Sequence, residues 1–151
     1  MPERLWAPWR LEYIEAEASE RCPFCEPEES LLVTRGELAL TMLNKFPYAP
    51  GHLLIAPTRH VGELEELSDA EALEVHRQSV DGMRRLREAY APHGFNLGWN
   101  LGRIAGGSIQ AHLHLHVVPR WNGDTNFMPV LADVKVLPEA LVETARRLAS
   151  T

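Results

Sequence analysis

The stretch Gln110-Ala111-His112-Leu113-His114-Leu115-His116-Val117-Val118 decides how this chain is read. Three histidines alternate with aliphatic residues. A period of two is strand spacing, so His112, His114 and His116 share one face and Leu113, Leu115 and Val117 the other. Residues two apart on a strand are roughly 6.6 Å apart, which separates the outer pair by about 13 Å. That span does not suit one ion with metal–nitrogen bonds of about 2 Å. The spacing therefore implies divided labour: an end histidine for structure or metal, the others for a ligand. A half-exposed strand that is merely His-rich, or a two-His metal pair, are the other readings of the triplet alone.

Upstream of it, Phe95-Asn96-Leu97-Gly98-Trp99-Asn100-Leu101-Gly102 alternates as well. Phe95, Leu97, Trp99 and Leu101 are expected to face the core, and Asn96, Gly98, Asn100 and Gly102 to form a polar face. Asn100 to His112 reads as a hairpin that sets this polar face beside the histidines. The glycine-bearing loop between them contains Gly106-Gly107-Ser108, whose amides and hydroxyl suit an anion nest. Most such triplets are plain turns; this one gains weight by abutting three histidines. Histidine can attack phosphorus, which divides one hard displacement into two easier ones. Donors on the phosphoryl oxygens stabilise the charge that develops.

Further out, Leu31–Thr34 and Glu37–Leu43 read as strands around the turn Arg35-Gly36, and His52–Ala56 as a buried strand stopped by Pro57. Ser68-Asp69-Ala70-Glu71 is a capping-box pattern. Behind it Leu73, His76, Val80, Met83, Leu86 and Tyr90 recur at helical spacing, which predicts a helix over 69–90 ended by Pro92 and Gly94. His76 falls on that stripe and reads as a core or half-buried histidine. A short helix over 11–18 and a terminal helix from Pro138 are also expected. The fold class is α+β: an antiparallel sheet of about five strands with one long helix and a short C-terminal helix, packed on one side.

The chain has 151 residues, enough for one domain with a real core. Residues 1–21 form an N-terminal arm, 22–121 the core and 122–151 a C-terminal extension. The net charge of -6 argues against a general nucleic-acid binder but leaves room for a small phosphorylated ligand. No apolar run is long enough for a membrane and no signal peptide is evident, so a cytoplasmic location is expected. Cys22 and Cys25, the only cysteines, are too close to staple a fold. Two thiolates at knuckle spacing are half of a zinc site, and His52, His60, His76, His93 or an end of the triplet could complete it. Two ordinary reduced thiols are the alternative.

The run His112-Leu113-His114-Leu115-His116-Val117-Val118 resembles the signature of the histidine-triad (HIT) family, in which three histidines alternate with apolar residues. The resemblance continues in Asn44, in Pro50-Gly51-His52 and in Pro119-Arg120, and covers roughly residues 22–121. With Gly106-Gly107-Ser108 and Arg120-Trp121-Asn122-Gly123-Asp124, the chain is most similar to the bacterial branch that includes diadenosine tetraphosphate phosphorylases. The resemblance implies a HIT-like fold and nucleotidyl transfer. It implies that His114 attacks the α-phosphorus of an adenine nucleotide substrate and that His116 holds phosphoryl oxygens. It further implies that His52 sits nearby, that Asn44 binds the ribose, and that Asn100, Gly107 and Ser108 lie along the phosphates. Zinc-bearing members imply a structural zinc ion on Cys22, Cys25, His60 and His112, and members commonly form homodimers.

One departure matters. Many hydrolytic members have glutamine four residues before the first triad histidine, where this chain has Ser108. The acceptor, water or inorganic phosphate, is left open by the residues. Arg103, Lys45, Ser108 and the Gly106-Gly107 amides are the groups available to hold a phosphate acceptor. Two other functions stand beside the enzyme: a nucleotide-binding zinc protein without significant turnover, and a structural zinc protein whose histidines serve only metal. An intact triad favours the enzyme over the first, and the distance from His112 to His116 speaks against the second.

Overall fold

The computed structural model describes residues 21–105, 112–124 and 140–150. Five strands are described: β1 (Leu32–Arg35), β2 (Ala39–Leu43), β3 (Leu53–Pro57), β4 (Gly94–Trp99) and β5 (Leu115–Arg120). They form one sheet in the order β1-β2-β3-β5-β4, every neighbouring pair antiparallel. The helices are α1 (Asp69–Tyr90) and α2 (Leu141–Ala149). Among the described residues, no helix is long and apolar enough to cross a membrane. The expected α+β architecture is present. The expected helix over 11–18 and the start of the last helix at Pro138 lie outside the described residues.

Helix α1 begins and ends where its sequence signals lie. The Ser68 hydroxyl accepts from the Glu71 amide, and the Glu71 carboxylate reaches back to the Ser68 amide. Ala91 closes it in the left-handed region, directly before Pro92.

The buried stripe of α1 is only partly the one the apolar spacing predicts: Leu86 is buried and Met83 and Tyr90 pack against the core. Leu73 and Val80 are exposed, and so is His76. The buried residues are Glu71, Val75, Gln78, Ser79, Gly82 and Leu86. Polar bonds and small residues dock this helix. Gln78 donates to the Ala39 carbonyl at 2.7 Å and accepts from the Thr41 hydroxyl at 2.6 Å. Glu74 accepts from the Leu38 and Ala39 amides. These bonds join α1 to the β1–β2 turn and give the Leu38 and Ala39 amides their acceptor. Gly82 admits Leu53 so closely that an added Cβ would lie 2.8 Å from its Cδ1. Leu86, fully buried, anchors the far end, and truncating it to Ala should cost ~2–5 kcal/mol.

Every residue of β2 and β3 is buried, as befits inner strands with both faces covered. Strand β4 lies at the sheet edge. There the expected inward face is only half right: Phe95 and Trp99 pack against the core, whereas Leu97 and Leu101 are exposed. The expected strand also stops early, at Trp99.

The His strand differs as well. The strand spacing runs over residues 110–118, but β5 spans Leu115–Arg120, and His112 and His114 precede it outside any strand. A side chain takes over where the ladder stops. The carbonyl of Pro57, the last residue of β3, lies 2.8 Å from His112 Nε2. The Leu113 amide donates to the Val61 carbonyl at 2.7 Å.

Candidate active site

His112, His114 and His116 leave the same stretch toward different partners. His112 and His114 are buried, and His116 is half-buried. Phe24, the residue inside the Cys22–Cys25 turn, has its ring 5.1 Å from that of His112 and 5.0 Å from that of His114. It fills the space between them and is itself fully buried. Sequence reasoning passed over Phe24; its only signal is an aromatic residue inside a turn of two cysteines.

His114 Nδ1 lies 2.9 Å from the carbonyl oxygen of His112. A carbonyl only accepts, so Nδ1 carries the proton and Nε2 keeps its lone pair. Burial also pushes the His114 pKa down, the hydrogen bond to His112 opposing it in part. The ring is held neutral with a defined basic nitrogen, the form a nucleophile requires.

A second chain of bonds fixes the tautomers of His52 and His116. The Tyr48 amide donates to His52 Nδ1 at 3.1 Å. His52 Nε2 therefore carries the proton and donates to His116 Nδ1, 2.9 Å away. That leaves the proton of His116 on Nε2, aimed at the ligand side. Asn100 Nδ2 stands 3.3 Å from this nitrogen, so the Asn100 amide has to present its oxygen there to accept the Nε2 proton, whereas Asn44 Nδ2 donates to His52 Nδ1 at 3.3 Å. His116 is lowered to about 4, by burial first and by His114 next, so it is neutral at ordinary pH.

The backbone explains this delivery. Gly51, at φ +78°, makes the turn that presents His52, and an added Cβ would strike Leu86 Cδ2 at 2.5 Å. His116 faces Gly98 across the β4–β5 pair. A Cβ at Gly98 would meet nothing within 4 Å, so there is open space beside the His116 ring. Tyr48 lines it too, its ring 6.2 Å from that of His116 and nearly parallel to it.

At the other end of the triad, Cys22, Cys25, His60 and His112 present donor atoms that all lie within 4.8 Å of one another. His112 Nδ1 is 3.2 Å from Cys22 Sγ and 3.2 Å from His60 Nδ1, and Cys25 Sγ is 3.3 Å from His60 Nδ1. Tetrahedral zinc with bonds of about 2.3 Å to sulfur and 2.0 Å to nitrogen needs edges of about 3.3–3.8 Å. Four of the six donor–donor distances, 3.2–3.6 Å, lie close to that range and the other two are within 4.8 Å, so the four residues could hold a metal. The Cys25 and Glu26 amides both donate to the Cys22 carbonyl, which curls the thiols to one side. His112 Nε2 donates to Pro57, the outer bond that a metal-binding imidazole ordinarily makes. The cluster is half open: Cys22 is half-buried and His112 buried, whereas Cys25 and His60 are exposed.

Residues 27–123 match the family profile described as the HIT domain. An AP-4-A phosphorylase of Mycobacterium tuberculosis is 44% identical to this chain, over 98% of it and 83% of the relative. This chain belongs to the HIT family.

A solved HIT-family structure, a Zn-bound histidine triad protein from Mycobacterium smegmatis, superposes with a TM-score of 0.69 at 26% identity, over 85% of this chain and 91% of that one. The Plasmodium falciparum diadenosine triphosphate hydrolase shares the HIT fold, with a TM-score of 0.67 at 16% identity over 97% and 95% of the two chains.

Against the HIT pattern, the structure brings His52, His114, His116, Asn44 and Asn100 together in one group and Cys22, Cys25, His60 and His112 in another. Gly106, Gly107 and Ser108 lie outside the described residues, as does the Arg103 side chain. Lys45 pairs with Glu28 at 3.7 Å. His76 and His93 stand apart from both groups; His93 Nδ1 accepts from the Asn122 amide. Sequence reasoning also missed Tyr48 and the Pro57 carbonyl, because main-chain partners leave no trace in a residue pattern.

Proposed function

We propose that this protein is a zinc-stabilised nucleotidyl transferase that cleaves dinucleoside polyphosphates such as diadenosine tetraphosphate through a nucleotidyl-His114 intermediate, with inorganic phosphate as acceptor. The observation that carries the reading is the His114 Nδ1 to His112 carbonyl bond, because it leaves His114 Nε2 as a neutral, oriented nucleophile.

The chemistry follows from the residues. Asn44 holds the ribose, and Asn100, Gly107, Ser108 and the Nε2 proton of His116 hold the phosphates. The His114 Nε2 lone pair forms a bond to the α-phosphorus while the bond from that phosphorus to the bridging oxygen breaks. ATP leaves from diadenosine tetraphosphate. An oxygen of inorganic phosphate then attacks the same phosphorus, the nitrogen–phosphorus bond breaks back onto His114, and ADP departs. Donors already aimed at the site need no reorganisation when charge builds on the phosphoryl oxygens. His52 contributes by fixing the His116 proton on the ligand side. Zinc on Cys22, Cys25, His60 and His112 supplies cross-linking of the N-terminal turn to the triad, with no part in the bond changes.

A homodimer in the cytoplasm completes the proposal. The exposed Leu97 on edge strand β4 supports a partner there, and sedimentation at several concentrations checks it. The whole reading is tested by incubating the protein with a panel of dinucleoside polyphosphates, with and without phosphate, and identifying the products. ADP plus ATP, formed faster as phosphate is raised, is expected. AMP plus ATP, unchanged at saturating phosphate, would make the protein a hydrolase. No cleavage at all would leave a nucleotide-binding protein.

A further inference from the structure

His60 is one of the two exposed members of the four-donor cluster, and it sits in neither a strand nor a helix. A metal site needs each ligand placed to within about 0.5 Å. Something must therefore hold this segment. Two main-chain bonds contribute: the Thr58 amide donates to Leu38, and the Val61 carbonyl accepts from Leu113. Between them, Arg59 reaches across to helix α1. Its Nε donates to Glu71 Oε1 and its Nη2 to Glu71 Oε2, both at 2.9 Å. The same Nη2 donates to the Glu66 carbonyl at 2.8 Å.

This differs from an ordinary surface ion pair, which contributes little. The Glu71 side chain is only 6% exposed. It is fixed twice more, by the Ser68 amide and the Ser68 hydroxyl, each at 2.9 Å from Oε2. It also belongs to the first turn of a 22-residue helix. Arg59 is thus tied to the first turn of helix α1, and Val61 to the His run. The residue between them, His60, meets Cys25 at 3.3 Å. The Glu66 carboxylate closes the rest of the loop by accepting from the Gly62 and Glu63 amides.

We propose that the bidentate Arg59–Glu71 pair is the positioning device of the metal centre: it holds the segment that presents His60 to Cys22, Cys25 and His112. Neither residue touches the ion. The inference rests on the zinc reading above and adds two residues to it.

The test uses the full chain, stripped of metal and titrated with zinc against a chromophoric chelator, and with cobalt for its ligand-field spectrum. Arg59→Gln removes both bonds to Glu71, and Glu71→Gln keeps a capping side chain but removes the charge. Each variant should bind zinc about 10–100-fold more weakly and show an altered cobalt spectrum. The double variant should lose no more than either single one, because the two residues act as one unit. Arg120→Gln breaks a different bidentate pair, with Asp124, away from the cluster, and should leave zinc affinity unchanged. Wild-type affinity in both Arg59→Gln and Glu71→Gln, or equal weakening in Arg120→Gln, would overturn the inference alone. Failure of the wild-type chain to bind zinc would overturn the metal reading and this inference with it.

Discussion

The carbonyl oxygen of His112 lies 2.9 Å from Nδ1 of His114. One residue therefore serves both groups. The His112 ring belongs to the four-donor cluster, and the His112 main chain sets the tautomer of His114, the proposed nucleophile two residues on. The His112 and His116 rings lie in different groups of side chains, and the His112 peptide carbonyl links the two.

Replacing the two histidines should separate chemistry from stability. On the sequence alone, His114 stands on a ligand face outside the core. The structure corrects this: His114 is 7% exposed and packs on Phe24. An alanine there would leave a hole, so His114→Gln is the cleaner variant. It should lose on the order of 10⁴-fold or more in turnover with a small change in Tm. His112→Ala should lose at least about 2 kcal/mol, or ~4–8 °C in Tm. Turnover and Tm assays on both variants decide it; equal losses in each would dissolve the distinction.

Metal removal should reach the nucleophile through that same peptide unit. A ligand at a hundred times its Kd stabilises the folded state by about 2.7 kcal/mol, so chelation should lower Tm and zinc should restore it. It should also lower kcat more than it raises KM, because a shifted His112 misaligns His114 without touching the ribose side. Steady-state kinetics with and without chelator check this, and an unchanged kcat in metal-free protein would oppose it.

The pH dependence follows from burial. His116 is lowered from 6.5 to about 4, chiefly by burial, and His114 is lowered too. His116 stays neutral well below the usual imidazole range and His114 is shifted in the same direction, so the acid limb of kcat/KM should fall below pH 6.5. The unfolded chain binds these protons near 6.5 and folded His116 only near 4. Protonation thus favours unfolding, and the contribution of His116 is full above 6.5 and is lost as pH falls toward 4. A pH–rate profile and a matching Tm series test both statements.

Gly98 should control access to His116. An added Cβ there has nothing among the described residues within 4 Å, and Gly98 is the residue directly opposite His116. Gly98→Val should keep Tm within ~2 °C and cut kcat/KM by about 10–100-fold, since small displacements of a reacting group carry such penalties. Kinetics on a folded Gly98→Val protein check it.

Local patterns carried much of this in the sequence. Ser68 and Glu71 mark the start of α1, Pro92 its end, and the alternating histidines their own extended run. The docking face of α1 was hidden, because Gln78 and Glu74 seek particular backbone atoms around Ala39 and an apolar count cannot see such bonds. Leu97 was misassigned because alternation gives the face of a strand, not whether it lies at the edge of the sheet. The tautomers of His52 and His114 were equally hidden, since the Tyr48 amide and the His112 carbonyl set them.

The stereochemical course at phosphorus tests the central claim most directly. A dinucleoside polyphosphate, chiral at the α-phosphorus through a sulfur label, is cleaved and the configuration of the product determined. Attack by His114 followed by attack of the acceptor is two inversions, so the account predicts retention. Inversion would mean a single direct displacement and would contradict the nucleotidyl-His114 intermediate.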